Sequence, residues 1–316
     1  MNVLSLCDGM SCGQIALKEL GIPVEHYFAS EIKDIAIKVT QENFPDTIQI
    51  GNVKNVSYHD GVLYTEKGEY GVQIDLVMFG SPCQSFSIAM KTDLRIGLED
   101  DAKSGLFYEC YRVLKEVNPK WFFVENVASM TQENLEILSE CLEVWPICIQ
   151  AGHYGPVLRK RYYWTNLPAS LSLENVLNFK DILDNGYTDR EKGHALLVSD
   201  SRPLTSPIKM IHRYFNKGFR NVIFKDEEQY KFIKKYFDEN LKGKSAAQID
   251  AMKIPQDVLD KFEGIRYMNR HEAERCHGVP EGYTDCLTEN QARDVLGDGW
   301  CVNIIKAFFM YLIREN

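Results

Sequence analysis

The sequence predicts an α/β fold, a parallel, doubly wound sheet with a smaller second region, and three observations predict it. Short apolar runs alternate with segments of helical spacing through the N-terminal half, as in strand–helix–strand units. Chemistry-bearing residues (Asp8, Glu31, Asn52, Cys83 and Glu125) fall just after those runs, at the strand ends where such sheets hold ligands. From about Pro168 the pattern changes to mixed helical and polar segments punctuated by Gly218, Gly243 and Gly264.

The elements follow in order. Residues 3–7 read as a strand, 8–13 as a turn and 14–20 as a helix stopped at Gly21. Residues 24–30 and 48–53 read as the next two strands, and 76–79, inside the apolar run 74–79, as a buried fourth. Residues 106–117 have helical spacing, and 121–124 form a fifth strand. Residues 145–150 and 161–165 complete the sheet as a hairpin, and 291–313 resume an amphipathic helix that packs back on it. We expect 1–165 and 266–316 to form one domain and 166–265 the smaller one.

Composition bounds the function. The chain has 316 residues, 45% hydrophobic and 26% charged, an ordinary globular balance. Nine cysteines without a CxxC pair, and no leader before Val3, predict free thiols, a reducing cytoplasm and no metal site. No apolar run approaches the ~20 residues that span a bilayer, so no membrane association is expected. The net charge of −9 weighs against nucleic acid as a partner, but the charge is uneven. Residues 202–235 carry nine Lys/Arg, among them Arg202, Lys209, Arg213, Lys217 and Arg220, against three acids. Aromatics interleave there. Two readings stand: a solvated helix face over a small core, or a surface that tracks phosphates.

Four segments carry chemistry. In the run 79–87, Phe-Gly-Ser-Pro-Cys-Gln-Ser-Phe-Ser, Pro82 fixes the backbone before Cys83, and a strand leads into it. A fold presents a thiolate nucleophile in this way. The turn Asp8-Gly9-Met10-Ser11-Cys12-Gly13 allows close approach of a ligand to backbone, and Glu31 is placed to take two ribose hydroxyls. Glu125-Asn126-Val127 offers a partly buried carboxyl that can donate a proton, or a carboxylate favoured at a helix N-terminus. Arg159-Lys160-Arg161 puts two arginines on one strand face, able to hold a phosphate or a base carbonyl.

Together, the order of these segments resembles the cytosine-5 DNA methyltransferases. Residues 3–9, 80–84, 125–127 and 159–161 are similar to that family's motifs one, four, six and eight; 266–280 looks like its ninth and 297–302 its tenth. Residues 4–6, 29–31, 161–168 and 299–300 look closest to the de novo branch. The resemblance implies a Rossmann-like sheet with a target-recognition region at 166–265, S-adenosylmethionine as methyl donor, and double-stranded DNA as substrate. It implies that Cys83 attacks C6 of a flipped cytosine, that Glu125 engages N3, that Arg161 holds O2 and that Arg159 orients the loop. The cofactor would meet Asp8, Gly9, Met10, Gly13, Glu31, Ile32, Asn52, Val53, Pro82, Trp300 and Val302. DNA would meet Gln84, Ser85 and the basic residues named above. A homodimer and a cognate restriction endonuclease are further implied partners, in a stand-alone bacterial or phage enzyme.

The chain departs from the family at Cys7, where an aromatic residue is usual, and at Asn52, where Asp is usual. A tRNA-modifying enzyme on the same scaffold is the alternative, but its Cys-Phe-Thr signature is missing between 166 and 265. A catalytically silent DNA-binding paralogue fits poorly with Cys83, Glu125 and Arg161 all present. A nicotinamide-dependent oxidoreductase lacks its GxGxxG.

Overall fold

In a computed structural model, residues 1–82, 105–168, 177–196, 206–218 and 220–314 are described. Five parallel strands form most of the main sheet: β1 (Asn2–Leu6), β2 (His26–Ser30), β3 (Ile48–Gln49), β7 (Leu76–Phe79) and β8 (Trp121–Val127). An antiparallel pair, β9 (Ile147–Gln150) and β11 (Lys160–Thr165), completes it in the order β3-β2-β1-β7-β8-β11-β9. The sheet is therefore mixed, with the expected hairpin supplying its antiparallel edge.

Residues of both sheet faces are buried, so the strands read as continuous apolar runs rather than alternating ones. On one face Leu4, Leu6, Val77, Phe79 and Val124 pack with Phe107, Val113, Leu135 and Leu138. Those four come from α3 (Leu106–Val117) and α4 (Gln132–Leu142). On the other face Phe123 lies 5.2 Å from Phe308 and 5.4 Å from Phe309. These belong to α11 (Val302–Phe309), which packs against α1 (Cys12–Glu19). By length and composition the stretch Glu289–Ile313 could cross a bilayer. It is broken at residues 299–301, and Ile304, Ile305, Phe308 and Phe309 are fully buried, so α11 is a core helix.

Three readings are corrected. The third strand is two residues long, because Asn52 turns the chain into a 3-10 turn at Val53–Asn55 by accepting from Lys54 N. β8 runs on through Val127, so Glu125 lies inside a strand, paired with β11 from Phe123 to Val127. The tail is two helices, α10 (Glu289–Asp298) and α11. A meander of β4 (Ser57–His59), β5 (Val62–Thr65) and β6 (Gly68–Gly71) and the helix α2 (Asp34–Asn43) were not foreseen.

The chain divides into two compact units, one of residues 1–151, 160–173 and 299–316, the other of 152–159 and 174–298. The second unit is thus larger than the expected 166–265. It includes β10 (Val157–Leu158), paired with β12 (Gly193–His194), and α9 (Arg270–His277). Buried carboxylates explain its extent. Glu272 Oε1 and Oε2 accept from Arg266, Asp184 N and Asn269 N, and Glu274 accepts from Gly282 N, Thr284 N and Thr284 Oγ1. The charged positions of residues 266–280 are therefore joinery. The unit's other helices, α5 (Pro207–Lys217), α6 (Glu227–Tyr236), α7 (Ala246–Asp250) and α8 (Gln256–Asp260), surround Tyr214, Phe224, Phe237 and Phe262.

Candidate active site

The strand order reverses between β1 and β7, and ligands of such sheets bind at that switch point. Leu6 pairs with Phe79, so the loops leaving the two strands emerge side by side. The first loop is tightly wound: Cys7, Gly9 and Ser11 have φ of 53°, 60° and 59°. Asp8 anchors it. Its carboxylate accepts from Tyr27 Oη at 2.7 Å and from Ser11 Oγ. Burial raises the Asp8 pKa to about 6, against the pull of hydrogen bonds from Ser11, Ser5 and Tyr27.

Glu31 closes the loop at the end of β2. It accepts from Gly9 N at 2.7 Å and from the Ile32 and Lys33 amides at 2.8 Å. The carboxylate is thus fixed by three backbone donors at the mouth of the switch point. Ile32 beside it is 68% exposed, an apolar surface next to an acid. A Cβ on Gly9 would meet nothing within 4 Å, so this turn faces open space. These features fit a nucleoside: two acceptors for ribose hydroxyls and an apolar platform for a base.

The other cofactor candidates divide. Met10, Val53 and Val302 are buried, at 1%, 4% and 0% exposure, so their side chains serve the core. Gly13 packs on Met78, where a Cβ would come within 2.5 Å of the thioether. Asn52 spends its side-chain oxygen on Lys54 N. Trp300 lies over Gly80, its indole 5.6 Å from Phe123. Pro82 is half-buried at the last described position before the run 83–104. Cys83, Gln84 and Ser85, and Arg202 in the second unit, lie outside the described residues.

The approach to Cys83 is nevertheless held. Asn126 Nδ2 donates to Ser81 O and Oγ at 3.3 and 3.2 Å, and its Oδ1 accepts from Val127 N. Sequence reasoning gives Asn126 no role of its own; the signal for one is a polar amide beside an acid at the end of an apolar strand. Glu125 and Arg161 are brought together: Arg161 Nε stands 2.8 Å from Glu125 Oε1, with both side chains mostly buried. The register explains this, since Tyr163 faces Glu125 and Arg161 faces Val127, a diagonal pair on adjacent strands.

Arg159 is different. It does not share a strand face with Arg161, because β10 ends at Leu158 and β11 begins at Lys160. It lies in the second unit and donates to Gly297 O at 3.3 Å.

The basic stretch resolves into core and surface. Tyr214 and Phe224 are buried in the second unit's core. Lys231 pairs within α6 with Glu227, Lys234 and Lys235 pair with Asp238 and Glu239 in the turn that follows it, and Lys209 pairs with Asp250 at 2.9 Å. Arg220 has a φ of 71° and stacks 5.6 Å from the Tyr267 ring centroid.

A doubly wound sheet with a tight loop at its switch point defines the class, a Rossmann-like fold. Solved structures agree on that fold. A DNMT2 of Spodoptera frugiperda superposes with a TM-score of 0.63 at 17% identity, covering 99% of both chains. The methyltransferase EhMeth of Entamoeba histolytica gives 0.63 at 19%, covering 100% of this chain and 98% of that one. Residues 1–151 match the family described as C-5 cytosine-specific DNA methylase. Type II methyltransferase M.NgoBV of Neisseria gonorrhoeae is 30% identical over 197 residues, 54% of this chain and 42% of that protein. Type II methyltransferase M.HpaII of Haemophilus parainfluenzae is 29% identical over 334 residues, covering 96% and 87%. The chain thus spans about two fifths of the length of the first of these relatives and most of the second.

Proposed function

We propose that the protein is a DNA (cytosine-5)-methyltransferase, and that the Glu125–Arg161 pair on the adjacent strands β8 and β11, next to the Asn126 that holds Ser81, is the observation that carries this reading. Cytosine C5 is a poor nucleophile until C6 is attacked and N3 is engaged. Cys83 would supply the attack. Glu125 would hold a proton at N3, and Arg161 would keep the glutamate oriented while meeting O2. Asn126 would fix where the Cys83 loop begins. S-adenosylmethionine, when bound, supplies an electrophilic methyl group. Glu31 would take its ribose hydroxyls, and Ile32 and Trp300 would flank it.

Double-stranded DNA is the proposed substrate, with the target cytosine flipped out because C5 and C6 cannot be reached in the stack. The region 166–265 is proposed to read it, with Lys209, Arg213, Lys217 and Arg220 on phosphates. Arg159 is proposed as a positioning residue rather than a base contact. A homodimer and a cognate endonuclease are the further proposed partners.

The test incubates the protein with tritiated S-adenosylmethionine and unmethylated duplex DNA, with tRNA in parallel. Label on DNA, mapped by bisulfite sequencing to one context, supports the proposal and gives the target site. Label on tRNA alone overturns it.

A further inference from the structure

Cys7 and Cys110 hold their sulfurs 3.9 Å apart, both as free thiols. Cys7 is the half-buried residue that opens the first loop, in a left-handed conformation directly before Asp8. Cys110 is fully buried in the second turn of α3, the helix that follows the run 83–104. The pair thus links the two segments that flank the proposed chemistry: the loop that carries Asp8, and the helix into which the Cys83 segment leads.

A disulfide requires the sulfurs at about 2.05 Å. The remaining gap is roughly 2 Å, shared between two side chains, one of them in a loop. Cys110 is a poor first nucleophile, because the Cys7 hydrogen bond, burial and the nearby thiol all hold its proton on. The more open Cys7 is the entry point. Cys148 is exposed on β9 and serves as an internal reference for oxidation of an open thiol.

We propose that Cys7 and Cys110 form an oxidative modification site, in which a hydroperoxide converts the two thiols to a disulfide that ties the first loop to α3. The Cys7 thiolate attacks the peroxide oxygen, giving a sulfenic acid and, for hydrogen peroxide, one water. The Cys110 sulfur then attacks the Cys7 sulfur, forming the S–S bond and expelling a second water. Two thiols lose two electrons and two protons, and the peroxide is reduced to two waters. Drawing Cys7 toward α3 pulls the turn that sets Asp8 and Gly9, so the linked form binds nucleoside cofactor more weakly. That last consequence rests on the function proposed above, whereas the linkage does not.

The experiment treats the reduced protein with increasing hydrogen peroxide, traps free thiols under denaturing conditions, and maps peptides without reduction. The expected result is a loss of two hydrogens and a linked pair of peptides containing Cys7 and Cys110, reversed by dithiothreitol. The linkage should persist in Cys83→Ser and vanish in Cys110→Ser, with Cys7→Ser as the second variant should the buried one fail to fold. Titration of S-adenosylmethionine against reduced and oxidised Cys83→Ser should show at least tenfold weaker binding after oxidation. Cys7 and Cys110 remaining alkylatable at peroxide levels that oxidise Cys148 would overturn the site. Linkage with unchanged affinity would overturn its coupling to the cofactor, and no binding by the reduced protein would count against the cofactor reading instead.

Discussion

At Glu125 two demands meet in one side chain. It must sit out of water to act on a base nitrogen, and it must not be left as a lone buried charge. The Arg161 guanidinium at 2.8 Å meets the second demand. Removing one partner of a mostly buried pair leaves the other uncompensated, which costs about 3–5 kcal/mol. Arg161→Ala should therefore lower stability by an amount of that order in urea unfolding, as well as activity. Glu125→Gln keeps the shape and should cost roughly 10²–10⁴ in turnover, the usual worth of a positioned proton donor, with a smaller effect on stability. Retained turnover in Glu125→Gln would remove the glutamate from the chemistry. Asp8 offers a separate pH test. Its pKa is raised to about 6 in the folded chain, above 3.8. The stability linked to its protonation is complete below pH 3.8 and is lost as pH rises through 6. Asp8→Asn should thus be more stable than the parent at pH 7.5, by on the order of 1–3 kcal/mol, and gain little at pH 4. An advantage that grew toward low pH would refute the assignment.

Among the elements, Gly80 shows how closely the strand ends are fitted. A Cβ there would lie 2.7 Å from Trp300 Nε1 and about as close to its ring, so the indole must move or the strand must shift. Gly80→Ala should lower stability by about 1–3 kcal/mol, the usual cost of overpacking, and weaken S-adenosylmethionine binding, read by thermal denaturation and titration. Tolerance without a change in either would mean that Trp300 is free to turn. Much of this level was legible in the sequence. Residues 106–117 form a helix with the foreseen bounds, and 76–79 a strand, because apolar period and length agree there. What was not legible depends on partners distant in the chain. Glu125 belongs to its strand only because β11 extends the pairing to Val127. Arg159 and Arg161 read as neighbours on one face, but β10 finds its partner at Gly193–His194 and breaks the strand between them. Asn52 looked like a strand residue, yet its side chain caps the turn that ends the strand.

On the scale of the whole molecule, an acidic chain is proposed to bind a polyanion, so the placement of positive charge must do what the total does not. The total is −9. Within the second unit, lysines on α6 face acids one turn away, which leaves them little net attraction for phosphate. On the helix α5 Lys209 is paired as well, with Asp250. Ile208, Ile211 and Tyr214 turn inward, and the cations at 209, 213 and 217 recur every four residues along the sequence of that helix. Eight residues of helix span about 12 Å, enough to follow more than one phosphate of a strand. Each phosphate-binding cation that is removed should lower the slope of log affinity against log salt by about one. Arg213→Ala and Lys217→Ala together should reduce that slope by roughly two and weaken every duplex alike, whereas Lys231→Ala and Lys235→Ala should leave it nearly unchanged. Duplex binding measured by fluorescence anisotropy from low to moderate salt decides the matter. An equal reduction from both pairs would assign the attraction to the unit's overall field, and no reduction from the α5 pair would move the DNA surface elsewhere.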